Sequence, residues 1–424
     1  MVSRPNTFDG VDLNRKPVVS RVDRHIDFDW NAASPAQGVS YKNFSVRWTG
    51  SITAPAPGTI EFGFSMAHCS TCDDAETVSV WLDGKLVDDF AHAPTRGRRA
   101  LTTPFELTFN DIKPHSIRIE YMHSAPHFGA GLTFNWKPPI AVLRSQAVAV
   151  AANSDVIIAF LGLSPEVEGE EMPLHVEGFE GGDRTSIELP EVQRQLVDAL
   201  ATTGRPLVIV LMNGSALALE GAEQKAAAIL EAWYPGQAGG TAIAETMFGE
   251  NNPSGRLPLT FYANTRQLPP FDDYSMKGRT YRYFAGKPLY PFGYGLSYTS
   301  FQYTKGKLST TRVRAGQSID VSVQLRNAGA RDGDETIEFY LVPKDKPGAP
   351  LRTLVGFEKA HLLKGEAMTI RATVDPRQLS IVDADGNRSV QPGDYELYIG
   401  GNQPSSDSGV FLPFHIEGSS RIAP

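Results

Sequence analysis

The chain has 424 residues, more than one hydrophobic core ordinarily serves, so roughly two to four domains are expected. Apolar residues make up 41% and charged residues 21%, the balance of a globular protein in water, and the formal charge of −8 lacks the basic footprint that nucleic-acid binding requires. No run approaches the roughly 20 apolar residues that span a bilayer, so neither nucleic acid nor membrane is an expected partner.

The opening, Met1-Val-Ser-Arg-Pro-Asn6, has no apolar core for a signal peptide. The chain is therefore expected either to stay inside the cell or to lack its original N-terminus. Residues 44–48, 59–64, 78–82 and 116–121 alternate apolar and polar side chains, the period of strands with one buried face. Proline and glycine punctuate them, as in Ala54-Pro-Ala-Pro-Gly58, and a β-sandwich is expected over 1–138. Cys69 and Cys72 are the two cysteines, with His68 beside them. With no second Cys-x-x-Cys to complete a zinc site, a local loop feature is expected, with or without a disulfide. The neighbouring Asp73 and Asp74 supply two carboxylates where Ca²⁺ takes about six to eight oxygens.

From 139 to 302 the pattern changes. Residues 154–160 and 206–211 are continuous apolar runs, as in strands of a parallel sheet buried on both faces. A helix is expected over 189–200, with Pro190 in its first turn and Val192, Leu196, Val197 and Leu200 on one face. Another covers 239–248, stopped by Gly249. The segment reads as α/β with a mostly parallel sheet. Over 303–424 the period of two returns, at 318–325, 335–341 and 395–399, and an immunoglobulin-like β-sandwich is expected.

The middle segment carries long blocks in a fixed order: Val167-Glu-Gly-Glu-Glu171, Gly181-Gly-Asp-Arg-Thr185, Leu189-Pro190, Ala232-Trp-Tyr-Pro-Gly-Gln-Ala-Gly-Gly240, Phe248-Gly-Glu-Asn-Asn-Pro-Ser-Gly-Arg-Leu-Pro258 and Tyr290-Pro-Phe-Gly-Tyr-Gly-Leu-Ser-Tyr298. Together they resemble the α/β domain of family 3 glycoside hydrolases, the β-glucosidase and β-xylosidase type. The segment with Asn327-Ala-Gly, Gly333-Asp-Glu335 and Gly356-Phe357 looks like that family's fibronectin type III-like domain. The first segment, with Phe44-Ser-Val-Arg-Trp-Thr-Gly50 and Trp81-Leu-Asp-Gly84, is similar to a protective-antigen-type sandwich.

The resemblance implies a retaining exo-β-glycosidase acting on terminal β-linked glucose or xylose of an oligosaccharide or glycoside, with no metal or organic cofactor. Such enzymes work with two carboxyl groups about 5–5.5 Å apart. In this family the nucleophile is an Asp on an N-terminal (β/α)8 barrel, which takes about 250 residues by itself and does not fit here. The barrel is therefore an expected partner, from a missing part or a separate subunit. The opening strand of the α/β layer is also not visible ahead of the first sandwich, which favours a truncated chain. Asp29, beside Trp30, is set aside as nucleophile because it falls in the sandwich.

Glu166, Glu168, Glu170, Glu171, Glu177 and Glu180 make a dense acidic loop after the first apolar strand. Composition alone reads it as a solvated loop. Its place at the carboxyl end of a parallel strand is where ligands collect, and crowded carboxyls suit a general acid. In the resembling family the acid/base is the second Glu of a Glu-x-Glu ahead of Asp-Arg. Carried onto Glu168-Gly-Glu170, this makes Glu170 the acid/base, with Glu171 and Glu180 as rivals because an insertion stretches the spacing to Asp183-Arg184. Asp183 and Arg184 are expected to fix the loop, paired with each other or with backbone groups, at the edge of the substrate site; His175 is a candidate for a sugar hydroxyl. The rings of 281–284 and 290–294 are expected to pack between domains. A different class of reading stays open: a non-catalytic carbohydrate-binding or scaffolding protein.

Overall fold

A computed structural model describes residues 2–31, 33–66, 75–92, 101–124, 130–165, 167–169, 171, 175–383, 385–404 and 409–423. Cys69, Cys72, Asp73, Asp74, Glu166 and Glu170 lie outside the described residues. The chain divides into two compact units, 1–150 and 151–424.

The first unit is built from β1 (Val2–Asp9), β2 (Val19–Ser20), β3 (Asp27–Asn31), β4 (Asn43–Thr53), β5 (Gly58–Met66), β6 (Ala75–Leu82), β7 (Lys85–His92), β8 (Leu101–Phe109), β9 (Pro114–Ser124) and β10 (Ala130–Lys137). A six-stranded sheet runs β2-β1-β4-β9-β6-β7 and a four-stranded sheet runs β3-β10-β5-β8. One core draws on both, with Phe44, Val46 and Trp48 from β4, Ile60, Phe62 and Phe64 from β5, and Ile117, Ile119 and Tyr121 from β9. Every second residue points inward because the strand period is two, and each such side chain contributes roughly 1.5–3 kcal/mol by leaving water. The same alternation turns two ionisable groups inward. Glu76 faces His123 across β6 and β9, both buried, and the Tyr121 hydroxyl donates to Glu76. Asp29 lies exposed on β3.

Helix α1 (Ile140–Ala152) leads into the second unit. There β11 (Ile157–Gly162), β15 (Leu207–Met212) and β16 (Ala228–Glu231) form a parallel sheet in the order β11-β15-β16. Between β11 and β15 lie a small antiparallel sheet of β12 (His175–Val176), β13 (Phe179–Glu180) and β14 (Asp183–Arg184), then α2 (Glu191–Ala201). Only β15 matches the expectation of burial on both faces. The run at 154–160 becomes an edge strand with one buried face, Ile157, Ala159 and Leu161, while Ile158 and Phe160 on the other are 43% and 56% exposed. Pro190 caps α2, whose Val197 and Leu200 are buried.

Gly162 ends β11 at a φ of 132°, and a Cβ there would overlap the Met212 carbonyl oxygen at the end of β15. Gln193 of α2 holds this tight passage from the other side. Its Nε2 donates to Gly162 O and its Oε1 accepts from Gly162 N–H, each at 2.8 Å. Two further helices, α3 (Ala222–Lys225) and α4 (Gly239–Phe248), complete this part; Gly249, left-handed at 76°, stops α4.

The remainder comprises β17 (Phe301–Leu308), β18 (Arg312–Arg314), β19 (Ile319–Asn327), β20 (Gly333–Pro343), β21 (Thr353–Leu362), β22 (Ala367–Val374), β23 (Ile381–Val382), β24 (Arg388–Val390), β25 (Gly393–Gly400), β26 (Gly409–Glu417) and β27 (Ser420–Arg421). Sheets β17-β19-β22 and β18-β26-β25-β20-β21 share one core that includes Val323, Leu325, Ile337, Phe339, Leu397 and Ile399. Most of the ring block packs within its own segment, Tyr290 against Phe261 and Tyr294 and Phe284 against Tyr262, and Tyr281 reaches the last region as expected. Tyr281 stacks on Phe292 at 4.2 Å, meets Tyr340 of β20 edge-on, and its hydroxyl accepts the Leu354 N–H of β21.

Candidate active site

The three strands of the parallel sheet run the same way, so the loops that leave their carboxyl ends emerge on one side. The loop after β11 brings Glu168, the loop after β15 brings Asn213 and Ser215, and β16 ends in Glu231 with Trp233 and Tyr234 just beyond. These meet. Glu168 Oε1 accepts from Ser215 Oγ at 2.8 Å, and Oε2 accepts from the Tyr234 hydroxyl. Arg184 Nη1 donates to Ser215 Oγ at 3.0 Å and stands 4.0 Å from Glu168 Oε1. The Arg184 and Glu168 side chains are each only 15% exposed.

Two glycines permit this convergence. Gly214 leaves room for the Tyr234 ring, whose Cε2 would lie 2.8 Å from a Cβ there. Gly182, at a φ of 90°, lies so close to Gly169 that a Cβ would overlap its carbonyl oxygen. The neck of the acidic loop is thus closed backbone to backbone, one residue before Glu170 in sequence.

The remaining sequence candidates are placed as follows. Glu171 is exposed, with its backbone in the left-handed region at 51°. Glu180 and Asp183 are exposed and paired in register across β13 and β14. His175 lies opposite Glu180 across β12 and β13. Arg184 is anchored, but not by Asp183: Nε donates to Ser186 O at 2.8 Å, Nη2 donates to Glu188 O at 3.4 Å, and the guanidinium lies 5.4 Å over the Phe179 ring. The Glu188 carboxyl pins the segment further. Burial pushes its pKa up, but hydrogen bonds from Ser186 and from the Thr265 hydroxyl and N–H outweigh that and bring it down to about 2.

The sequence reading passed over Asn213, Ser215, Glu231 and Tyr234. Asn213 and Ser215 lie just past a parallel strand, the position at which sites form in such sheets, and that signal could have found them. Tyr234 sits inside a block quoted above for its resemblance but was given no role.

Glu231 is displaced in the opposite direction from Glu188. Burial pushes it up to about 7, although it accepts hydrogen bonds from Trp233 N–H at 3.1 Å and Asn213 Nδ2 at 3.4 Å. With a folded pKa above the ordinary 4.5, the fold prefers the protonated form. Its stabilising contribution is full below pH 4.5 and is lost as pH rises through 7. Glu231→Gln, neutral throughout, is therefore expected to be more stable than the parent at pH 8 by about 2 kcal/mol and to lose that advantage at pH 4. Urea denaturation at the two pH values measures it, and an advantage independent of pH would contradict the assignment.

Among the described residues no group of three or more His, Cys, Asp or Glu side chains is placed to hold a metal ion, and no helix is long and apolar enough to cross a membrane.

Comparison with known proteins adds the following. The glycosyl hydrolase family 3 C-terminal domain matches residues 32–298, and the fibronectin type III-like domain matches residues 335–403. A xylan 1,4-beta-xylosidase from Xylanibacter ruminicola is 41% identical over 307 residues, covering 72% of this chain and 35% of that protein. A periplasmic beta-glucosidase from Salmonella typhimurium is 38% identical over 279 residues, covering 63% of this chain and 35% of that protein. The crystal structure of a beta-glucosidase from Kluyveromyces marxianus in complex with glucose superposes with a TM-score of 0.67 at 25% identity, over 99% of this chain and 50% of that one. The chain spans about a third of the length of each of these two relatives.

Proposed function

Because the chain belongs to the glycosyl hydrolase family 3 C-terminal domain family, we propose that it supplies the acid/base half of a retaining exo-β-glycosidase removing terminal β-linked xylose or glucose. The observation that carries this is the meeting of Glu168, Ser215 and Tyr234, from beyond the carboxyl ends of three parallel strands, with Arg184, in a stretch of sequence (166–180) dense in carboxyl groups. Glu170 follows that meeting point by two residues and is the proposed acid/base, ahead of Glu171 and Glu180. The nucleophilic carboxylate comes from a (β/α)8 barrel, in the same polypeptide or in a separate subunit. Asp183 and His175, on the hairpin strands bordering the loop, are the proposed contacts to sugar hydroxyls. Arg184 acts through the loop rather than on the sugar, since all three of its guanidinium nitrogens already hold a protein partner, with three of its five N–H groups engaged.

The chemistry then has two steps. The nucleophile's oxygen bonds to the anomeric carbon as the glycosidic bond breaks. The bonding electron pair stays on the departing oxygen, which takes the proton of Glu170. In the second step the Glu170 carboxylate removes a proton from water as that water's oxygen displaces the nucleophile from the anomeric carbon. Both sugar and enzyme are restored with the anomeric configuration retained. No metal or organic cofactor enters either step.

We read 1–138 as a protective-antigen-type sandwich, 139–302 as the α/β domain and 303–424 as an immunoglobulin-like sandwich. The relatives' names support xylosides and glucosides as substrates. The test is hydrolysis of p-nitrophenyl β-xyloside and β-glucoside by the chain mixed or fused with a family 3 barrel. Turnover above that of either part alone is expected. No turnover, with barrel and chain shown to be folded and associated, would point to a non-catalytic carbohydrate-binding protein.

A further inference from the structure

We propose that Glu168, Ser215, Tyr234 and Arg184 form a positioning clamp that sets the protonation of the leaving group, without touching the sugar. The inference rests on the acid/base reading above and extends it to residues from two other loops. Both oxygens of Glu168 are engaged by hydroxyl donors, Ser215 Oγ at 2.8 Å on one and the Tyr234 hydroxyl on the other. This carboxyl is therefore already committed within the protein, and its place is structural rather than reactive. Its partners are themselves held. Arg184 Nη1 donates to Ser215 Oγ, and Asn213, fully buried, donates from Nδ2 to Ser215 O at 2.9 Å. Tyr234 follows the end of β16, where the Glu231 carboxyl accepts the Trp233 N–H. The ends of two other strands, β15 and β16, thus grip one residue two positions before the acid, and the Gly169–Gly182 contact closes the remaining freedom of the loop neck.

A side chain held this way transmits error directly. Displacing a reacting group by about 1 Å costs on the order of 100-fold in rate. Proton donation is demanded only when the departing oxygen is a poor leaving group. A defect in acid placement therefore shows on alkyl glycosides and disaccharides and spares a dinitrophenyl glycoside, whose phenolate leaves unprotonated.

The experiment compares Tyr234→Phe, Ser215→Ala and Glu170→Gln in the chain assembled with its barrel. The substrates are xylobiose and 2,4-dinitrophenyl β-xyloside, or the matching glucosides. Thermal unfolding of each variant is followed alongside. Tyr234→Phe and Ser215→Ala are expected to lose about 10- to 100-fold in kcat/KM on the disaccharide and less than about threefold on the dinitrophenyl glycoside. Equal losses on both substrates, or none on either, would overturn the clamp while leaving the acid assignment standing if Glu170→Gln keeps its leaving-group dependence. If Glu170→Gln shows no such dependence, the acid assignment itself fails and the clamp fails with it.

Discussion

Glu170→Gln is expected to lower kcat/KM on a disaccharide by about 10²- to 10⁴-fold, the ordinary contribution of a positioned general acid. Glutamine keeps the size and one acceptor oxygen but has no acidic proton to give. Glu171→Gln and Glu180→Gln should stay within about threefold of the parent, because a group that neither donates to the leaving oxygen nor orients the donor adds little to the barrier. The pH profile provides a second check. A general acid loses function as it ionises, so the alkaline limb of kcat/KM belongs to it. That limb should vanish in Glu170→Gln and persist in the other two. If instead Glu180→Gln abolishes the limb, the acid/base lies in the β-hairpin, and the insertion has moved the catalytic position rather than merely lengthened the loop.

Arg256→Ala is expected to destabilise the second unit by about 3–5 kcal/mol, the usual result of stripping one partner from a buried ion pair. Arg256 follows Pro253-Ser254-Gly255 in the middle segment, and its side chain is 8% exposed; Glu335, on β20 of the last β-region, is 4% exposed. Arg256 Nη2 meets Glu335 Oε2 at 2.7 Å, and Nε donates to Gly401 O at 2.7 Å. The other oxygen of Glu335 accepts from the Tyr303 hydroxyl at 2.7 Å. A Cβ on Gly401 would overlap Glu335 Oε1, so the carboxyl sits against bare backbone.

Burial already raises the pKa of Glu335, with Arg256 the main opposing influence. Without the guanidinium, burial acts with less opposition, and the carboxyl is protonated more readily in the fold. The deficit should therefore shrink as pH falls from 8 to 5. The double variant Arg256→Met with Glu335→Leu should recover most of the loss, since neither charge is then stranded. Denaturant unfolding of the three variants at both pH values measures this. An Arg256→Ala protein within about 1 kcal/mol of the parent would mean that water reaches the pair and the two segments are not locked there.

Strands β4, β5, β6 and β9 of the first β-region, β19, β20 and β25 of the last, the helices α2 and α4 and the central strand β15 were legible in the chain itself. Their signals are local: a period of two, a period of 3.6, Pro190 at a helix start and Gly249 at a helix end. The acidic loop was legible too, because its position after an apolar run is also a local property. What the sequence did not disclose is which strand lies at the edge. The runs at 154–160 and 206–211 look alike, yet on one face of the sheet Phe160 of the edge strand β11 is exposed while Val210, its partner on the central strand β15, is buried.

Nor could it rank the carboxyls. Glu168 and Glu180 belong to the same acidic stretch, yet one is gripped by Ser215, 47 positions away, and Tyr234, 66 positions away, while the other lies exposed on a hairpin. Composition and periodicity establish what each short segment prefers. Which side chains meet depends on the parallel sheet bringing the ends of β11, β15 and β16 to one side, and no local pattern carries that distance.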